Sequence, residues 1–146
     1  MAITSAICNS FKQEILEAEH NITASTGNTF KIALYTSSAT LSASTTAYSS
    51  SNEITNSSGT AYTAGGEALT SVTPTLDSST AVCDFSDVSW TSASFTANGC
   101  LIYNDSHSTD AAVCAVAFGG DKTVSSGTFT VQFPAAAATT AIVRIA

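Results

Sequence analysis

SFTANGCLIYN (94–104) and AAVCAVAFG (111–119) are the two stretches that decide the fold class. Both are short runs of β-branched, aromatic and small apolar residues, a composition typical of strands. The residues that join them, NDSHSTD (104–110), are, apart from His107, Asn, Asp, Ser and Thr types that favour turns. The region therefore predicts two strands joined by a hairpin loop.

The same alternation of short strands and turns continues on both sides of this hairpin. Further strands are predicted in TFKIALYT (29–36), EALTSVTPTLD (67–77), TAVCDFSDVSW (80–90), TFTVQFP (128–134) and TTAIVRIA (139–146). Turn signals separate them at Asp77–Ser79, Asp87, Asn104–Asp110, Gly119–Asp121, Ser125–Gly127 and Pro134–Ala138. Pro74 suits a strand end or an edge strand, because it cannot donate a hydrogen bond. Short strands at this spacing predict an antiparallel β-sandwich or a jelly-roll-like barrel.

Several strands are apolar on both faces, which a single exposed sheet would not be. In AAVCAVAFG, Val113 and Ala115 alternate with Cys114 and Val116. Such strands need a cover on each side. The cover is either the N-terminal segment or another subunit.

TSAICNSFKQEILEAEHN (4–21) is the one stretch with helical spacing. Ile3, Ile7, Phe11 and Ile15 recur every four residues, which predicts an amphipathic helix over 4–20. Thr4 or Ser5 is the expected N-cap and Asn21 a C-terminal stop. The helix is expected either to pack in the core of its own subunit or to dock its apolar stripe on a neighbour.

A length of 146 residues predicts one domain over 1–146, with the helix at 4–20 and the β-sandwich over 29–146. Residues 37–66 form a long polar excursion, with short strands expected near Tyr48 and Glu53–Thr55. Excursions of this length are usually functional or contact a partner. We therefore expect interface residues in the helix and in the excursion: Ile7, Phe11, Ile15, Tyr48 and Tyr62.

Charge restricts the classes of partner. The formal net charge is −7, and only four residues are Lys or Arg. These four are scattered, so they cannot form the basic stripe that nucleic-acid binding needs. The same argument disfavours an anionic membrane surface. The first residues lack a basic segment followed by a continuous apolar run, so we expect no signal peptide.

The sequence contains few residue patterns that are typical of catalytic, disulfide or metal sites. We expect Cys8, Cys83, Cys100 and Cys114 to be buried thiols, with a Cys83–Cys100 or Cys100–Cys114 disulfide as the alternative. The spacing of the cysteines matches no zinc motif.

Two polar clusters remain, and for both the simpler interpretation is a solvated turn. Asp105, His107 and Asp110 could converge on a cation, but they lie in a turn-rich loop. Asp84 and Asp87 could act as paired carboxylates, but they flank a turn. His20 and His107 are the only histidines, and no G-x-S-x-G motif accompanies them. Trp90, Phe95 and Tyr103 are expected in the core. We expect no enzyme activity, no cofactor and no metal.

Five blocks in order carry a resemblance across most of the chain. They are ITSAICNSFKQEILEAEHN (3–21), TFKIALYTSSATLSASTTAY (29–48), AYTAGGEALT (61–70), CDFSDVSWTSASFTANGCLIYN (83–104) and AFGGDKTVSSGTFTVQFPAAAATTAIVRI (117–145). In these blocks the chain resembles small virion structural proteins of tailed double-stranded DNA phages. None of the blocks is a chemical motif, so the resemblance implies a structural role and no mechanism.

The resemblance implies a capsid decoration (cement) protein, assembled into the virion in the bacterial cytoplasm. Its expected partner is the major capsid protein or another virion protein, and its expected state is a homotrimer. A tail, neck or fibre-attachment subunit is the alternative within the virion. A cell-surface or carbohydrate-binding β module is the alternative from another class, motivated by the Ser/Thr/Asn-rich loops and the aromatic residues.

Overall fold

The chain folds mainly into antiparallel strands, with one short helix. The computed structural model describes residues 2–55 and 59–146. Its elements are β1 (Ala6–Ile7), α1 (Asn9–Leu16), β2 (Phe30–Tyr35), β3 (Glu67–Ala68), β4 (Ser71–Asp77), β5 (Thr80–Phe85), β6 (Val88–Asn104), β7 (Ala111–Val131) and β8 (Val143–Ile145). One sheet has the order β1-β7-β6-β2-β3 and the other β4-β5-β8. The prediction of a mainly β, antiparallel chain is confirmed, and both sheets are open.

The central hairpin is the predicted one, but both of its strands are longer than expected. β6 and β7 pair from Asn104↔Ala111 to Val88↔Val131. The turn expected at Gly119–Asp121 is instead a bulge inside β7, where residues 118–121 lie opposite Asn98 alone. Asn98 Nδ2 donates to Asp121 Oδ1 at 2.8 Å and fixes the bulge. The glycines of this segment therefore lie in a β-bulge. From the sequence pattern alone, a bulge of this kind looks the same as a turn.

The predicted helix over 4–20 is too long. Only Asn9–Leu16 is helical, and Ala6–Ile7 pairs as β1 with Ala115 and Cys114 of β7. The N-cap is Cys8, not Thr4 or Ser5, and its backbone N–H donates to Val113 O at 2.9 Å. Pairing with the sheet satisfies backbone groups in the first residues, and this outweighs their weak helical propensity. The helix ends before Ala18, whose φ is 61°, and not at Asn21.

Aromatic residues of α1 and of β5 pack on one face of the large sheet. Phe11 is the buried residue of α1. Its ring lies 4.8 Å from the ring of His20, which in turn lies 6.3 Å from Phe30 of β2. Phe85 of β5 packs on the same Phe30 ring at 5.9 Å. The helix is thus a cover within its own subunit.

The other face is covered by residues 37–55 and 59–66 of the excursion, which fold against the sheet. Tyr48 stacks on Tyr103 of β6, with ring centroids 4.7 Å apart. The strands expected near Tyr48 and Glu53 reduce to isolated bridges, Ala47↔Ala111 and Tyr35↔Glu53. Residues 56–58 of this excursion lie outside the described residues. A segment that reads as a polar loop therefore supplies part of the core through Ala39, Leu41, Ile54 and Tyr62.

Candidate functional site

The predicted interface residues divide between the core and its margin. Phe11 and Tyr62 are each 2 % exposed and belong to the core of the single chain. Ile7, Ile15 and Tyr48 are partly buried and pack against that core. In the folded chain, Phe11 and Tyr62 therefore offer almost no surface to a partner, whereas Ile7, Ile15 and Tyr48 keep part of their surface exposed.

A buried carboxylate explains why Tyr48 and Tyr62 lie where they do. Glu53 Oε1 accepts hydrogen bonds from the Tyr62 hydroxyl at 2.6 Å and the Gly65 backbone N–H at 2.7 Å. Glu53 Oε2 accepts one from the Tyr48 hydroxyl at 2.6 Å. Tyr62 Oη also accepts the Leu34 backbone N–H of β2. These hydrogen bonds connect the excursion to the large sheet. We call Glu53, Tyr48 and Tyr62 the Glu53 cluster.

The environment of the Glu53 cluster keeps its phenols neutral. Burial raises the pKa of Tyr62 far above its ordinary value, and the hydrogen bond to Glu53 adds to the shift. The same two causes, in the same order, raise the pKa of Tyr48. A neutral phenol donates to the carboxylate, whereas a phenolate would repel it. The cluster is fully hydrogen bonded, which suits a structural role.

The loop at Asp105, His107 and Asp110 does not gather its side chains around one point. Asp105 pairs with Lys31 at 3.2 Å, whereas His107 lies 3.5 Å from Glu19. The backbone carbonyl of Asp110 accepts the Tyr48 N–H at 2.9 Å. Within residues 2–55 and 59–146, no three His, Cys, Asp or Glu side chains are placed to hold a metal ion.

His20 belongs to a buried polar group beside the end of α1. Its Nε2 lies 2.8 Å from Glu14 Oε2, and its Nδ1 lies 3.1 Å from Asn104 Nδ2. Because the Asn104 amide donates, Nδ1 is the acceptor and Nε2 carries the proton donated to Glu14. This arrangement fixes one tautomer of His20 and links the helix to β6.

Asp84 and Asp87 accept hydrogen bonds from two different backbone N–H groups. Asp84 Oδ1 accepts the N–H of its neighbour Phe85 at 2.8 Å. Asp87 Oδ1 accepts the Phe133 N–H at 2.9 Å. Each carboxylate thus caps a strand end, as turn carboxylates commonly do.

All four cysteines are free thiols. Cys8, Cys100 and Cys114 are buried and Cys83 is half-buried. Burial, reinforced by Glu14, raises the pKa of Cys8 to about 11, and burial raises that of Cys100 to about 12. Thiols with such pKa values are poor nucleophiles at neutral pH. The structure contains neither alternative disulfide.

The small sheet exposes an apolar row that the strand predictions alone did not reveal. Leu76 of β4 pairs with Ala81 of β5, which pairs with Ile145 of β8, so the three side chains share one face. Leu76 is 72 % exposed and Ile145 56 %. We call these residues the Leu76 row. The signal was present in the sequence as Leu76 and Ile145, but their alignment depends on a strand register that sequence does not give.

The Leu76 row lies next to core residues on the same face of the small sheet. The next pair on the same face is Cys83↔Val143, in which Val143 is 3 % exposed. β4 and β8 each pair with β5 alone in the described part of the chain. Pro74 lies on the edge strand β4, as predicted, and removes one donor from that edge. The face of this sheet is therefore a better contact surface than its β4 edge.

Trp90, Phe95 and Tyr103 are buried, as predicted. Trp90 and Phe95 pack edge to face at 6.3 Å. None of the three is exposed as an aromatic platform for a sugar. Within the described residues, no helix has the length and apolarity needed to cross a bilayer.

Comparison of the chain with protein-family models, with curated proteins and with solved structures finds no match.

Proposed function

We propose that this protein is a non-enzymatic structural subunit of a tailed-phage virion, acting as a capsid decoration protein. The Leu76 row is the observation that carries the proposal. Two large aliphatic side chains, Leu76 and Ile145, project from one face of the small sheet, and Val72 of its edge strand β4 is also 42 % exposed. A contiguous exposed apolar row is a candidate contact surface.

The energetics suit assembly. Burying a Leu or Ile side chain contributes about 1.5–3 kcal/mol. The Leu76 row alone gives only weak binding, but a homotrimer presents it three times and gains by avidity. In this proposal the partner is the major capsid protein on the outer surface of the head, and the bound trimer stabilises the shell.

The arrangement of the two sheets is part of the same proposal. We infer that the two open sheets face each other as a sandwich. The contact between Phe30 of β2 and Phe85 of β5, and the place of Val143 in the shared core, support this arrangement.

A head-binding assay tests the proposed function. Heads that lack the protein are mixed with the native chain, with Leu76→Asp or with Ile145→Asp, and bound copies are counted after sedimentation. We expect native chain to bind in hundreds of copies per head and to raise the temperature of DNA release. Each substitution should weaken binding, because it places a charge in the contact.

Leu16→Asp is the matched control, since Leu16 is 87 % exposed on α1 and lies outside the small sheet. It should bind like the native chain. Six or twelve copies on the tail or neck would favour the alternative position in the virion. Equal DNA release with and without bound protein would contradict the stabilising role.

A further inference from the structure

A mainly apolar cavity of about 460 Å³ lies between the central hairpin and the chain that follows it. Its wall includes Phe118 and Phe129 of β7, with Phe133 and Ile142 from the segment beyond. All four side chains are partly exposed, so the cavity is open to solvent. Its volume lies within the range of small-molecule pockets, which are mostly apolar with few polar groups.

Lys122 is the cation that lines this cavity. The other three basic side chains have partners, since Lys31 pairs with Asp105, Lys12 donates to Asn9 and Arg144 donates to the Ala138 carbonyl. In the described part of the chain, the Lys122 amine has no ion pair or hydrogen bond. The carboxylate of the adjacent Asp121 accepts from Asn98 instead.

We propose that this cavity binds a single-chain fatty carboxylate, with the hydrocarbon chain against the phenylalanines and the carboxylate at Lys122. The apolar wall selects an alkyl chain, because its burial removes hydrocarbon from water. The single amine matches a single negative charge. A more highly charged headgroup is disfavoured by the net charge of −7. This site is separate from the Leu76 row, so it does not depend on the proposed function.

Isothermal titration calorimetry with decanoate, decan-1-ol and acetate, below the micelle concentration, tests the proposal. We expect saturable binding of one decanoate per chain. Decan-1-ol, which has the chain without the charge, should bind about fivefold more weakly, the limit for a solvent-exposed ion pair. Acetate, which has the charge without the chain, should not bind. Absence of saturable decanoate binding, or equal affinity for acid and alcohol, overturns the proposal.

Two pairs of variants locate the site. Lys122→Gln should make the affinities for decanoate and decan-1-ol equal, whereas Lys12→Gln, which removes a cation outside the cavity, should preserve their ratio. Ile142→Trp should fill the cavity and abolish binding, whereas Ile145→Trp, the same change outside it, should leave binding intact. Circular dichroism confirms that each variant is folded. A folded Lys122→Gln that still prefers decanoate, or a folded Ile142→Trp that still binds it, overturns the assigned site.

Discussion

At the scale of single residues, Glu53 is a buried acceptor that ties distant parts of the chain together. It is 9 % exposed and accepts three hydrogen bonds from groups that are otherwise buried or half-buried. Hydrogen bonds to a charged group contribute about 1.5–3 kcal/mol each, and a buried donor left without a partner is costly. Glu53 therefore holds the 37–66 excursion on the sheet by interactions that its Ser-rich sequence does not suggest.

Replacing Glu53 tests this role. Glu53→Ala leaves the Tyr48 and Tyr62 hydroxyls and the Gly65 N–H without their acceptor, and we expect it to lower the free energy of unfolding by about 3 kcal/mol or more. Glu53→Gln keeps one oxygen and should cost about 1 kcal/mol. Glu17→Ala, an exposed glutamate on the surface, should stay within about 0.5 kcal/mol of the native chain. Urea denaturation measures all three, and a Glu53→Ala variant as stable as native would contradict the assigned role.

Substitution of Gly66 tests how closely the backbone before β3 approaches β2. A Cβ at Gly66 would lie 1.8 Å from the Ile32 carbonyl oxygen, and its φ is +77°. Gly119 has nearly the same φ, +75°, with no atom within 4 Å of an added Cβ. Gly119→Ala should therefore cost only the conformational term, about 1 kcal/mol. Gly66→Ala should cost at least about 2 kcal/mol more, because the backbone at Gly66 must move away from Ile32 of β2. Thermal unfolding measures the difference, and equal melting temperatures would show that the close approach is absent.

At the scale of elements, the strands follow from sequence better than the helix does. β2 matches its prediction within a residue at each end, because its alternation and composition agree with its place in the sheet. The four-residue spacing of Ile3, Ile7, Phe11 and Ile15 is compatible with a helix. However, β7 offers hydrogen bonds to Ala6–Ile7, and that contact is far away in sequence. The boundary of α1 is thus set by tertiary pairing, which spacing cannot reveal.

Two truncations test whether α1 covers its own subunit. Phe11 is 2 % exposed, so Phe11→Ala should create a cavity and lower the free energy of unfolding of the isolated chain by about 3–5 kcal/mol. Leu16→Ala removes a side chain that is 87 % exposed and should change it by less than about 0.5 kcal/mol. Chemical denaturation of both variants at low protein concentration gives the comparison. If Phe11→Ala alters only the association state, the stripe docks between subunits instead.

At the scale of the whole molecule, apolar strands on both faces correctly indicate that the sheet needs two covers. They do not indicate which segments supply them. The excursion covers one face through Ile54, Tyr62 and the Glu53 cluster, although its composition is typical of a solvated loop. The Leu76 row and the cavity at Lys122 both depend on cross-strand register or on chain packing. Those are long-range properties, so neither surface was predictable from local pattern.

Alkaline unfolding provides a test of the whole fold. Burial is the largest cause that raises the pKa values of all four tyrosines above their ordinary value of about 10. A group whose pKa is higher in the folded state than in the unfolded state stabilises the fold below its unfolded pKa, and this contribution is lost as pH rises above it. We therefore expect stability from this source to be intact below about pH 10 and to fall above it. Tyrosinate absorbance and far-ultraviolet circular dichroism should change together, because these phenols ionise only when the chain unfolds. Four phenols titrating near pH 10 in a chain that keeps its circular dichroism would show that the tyrosines are not buried as described.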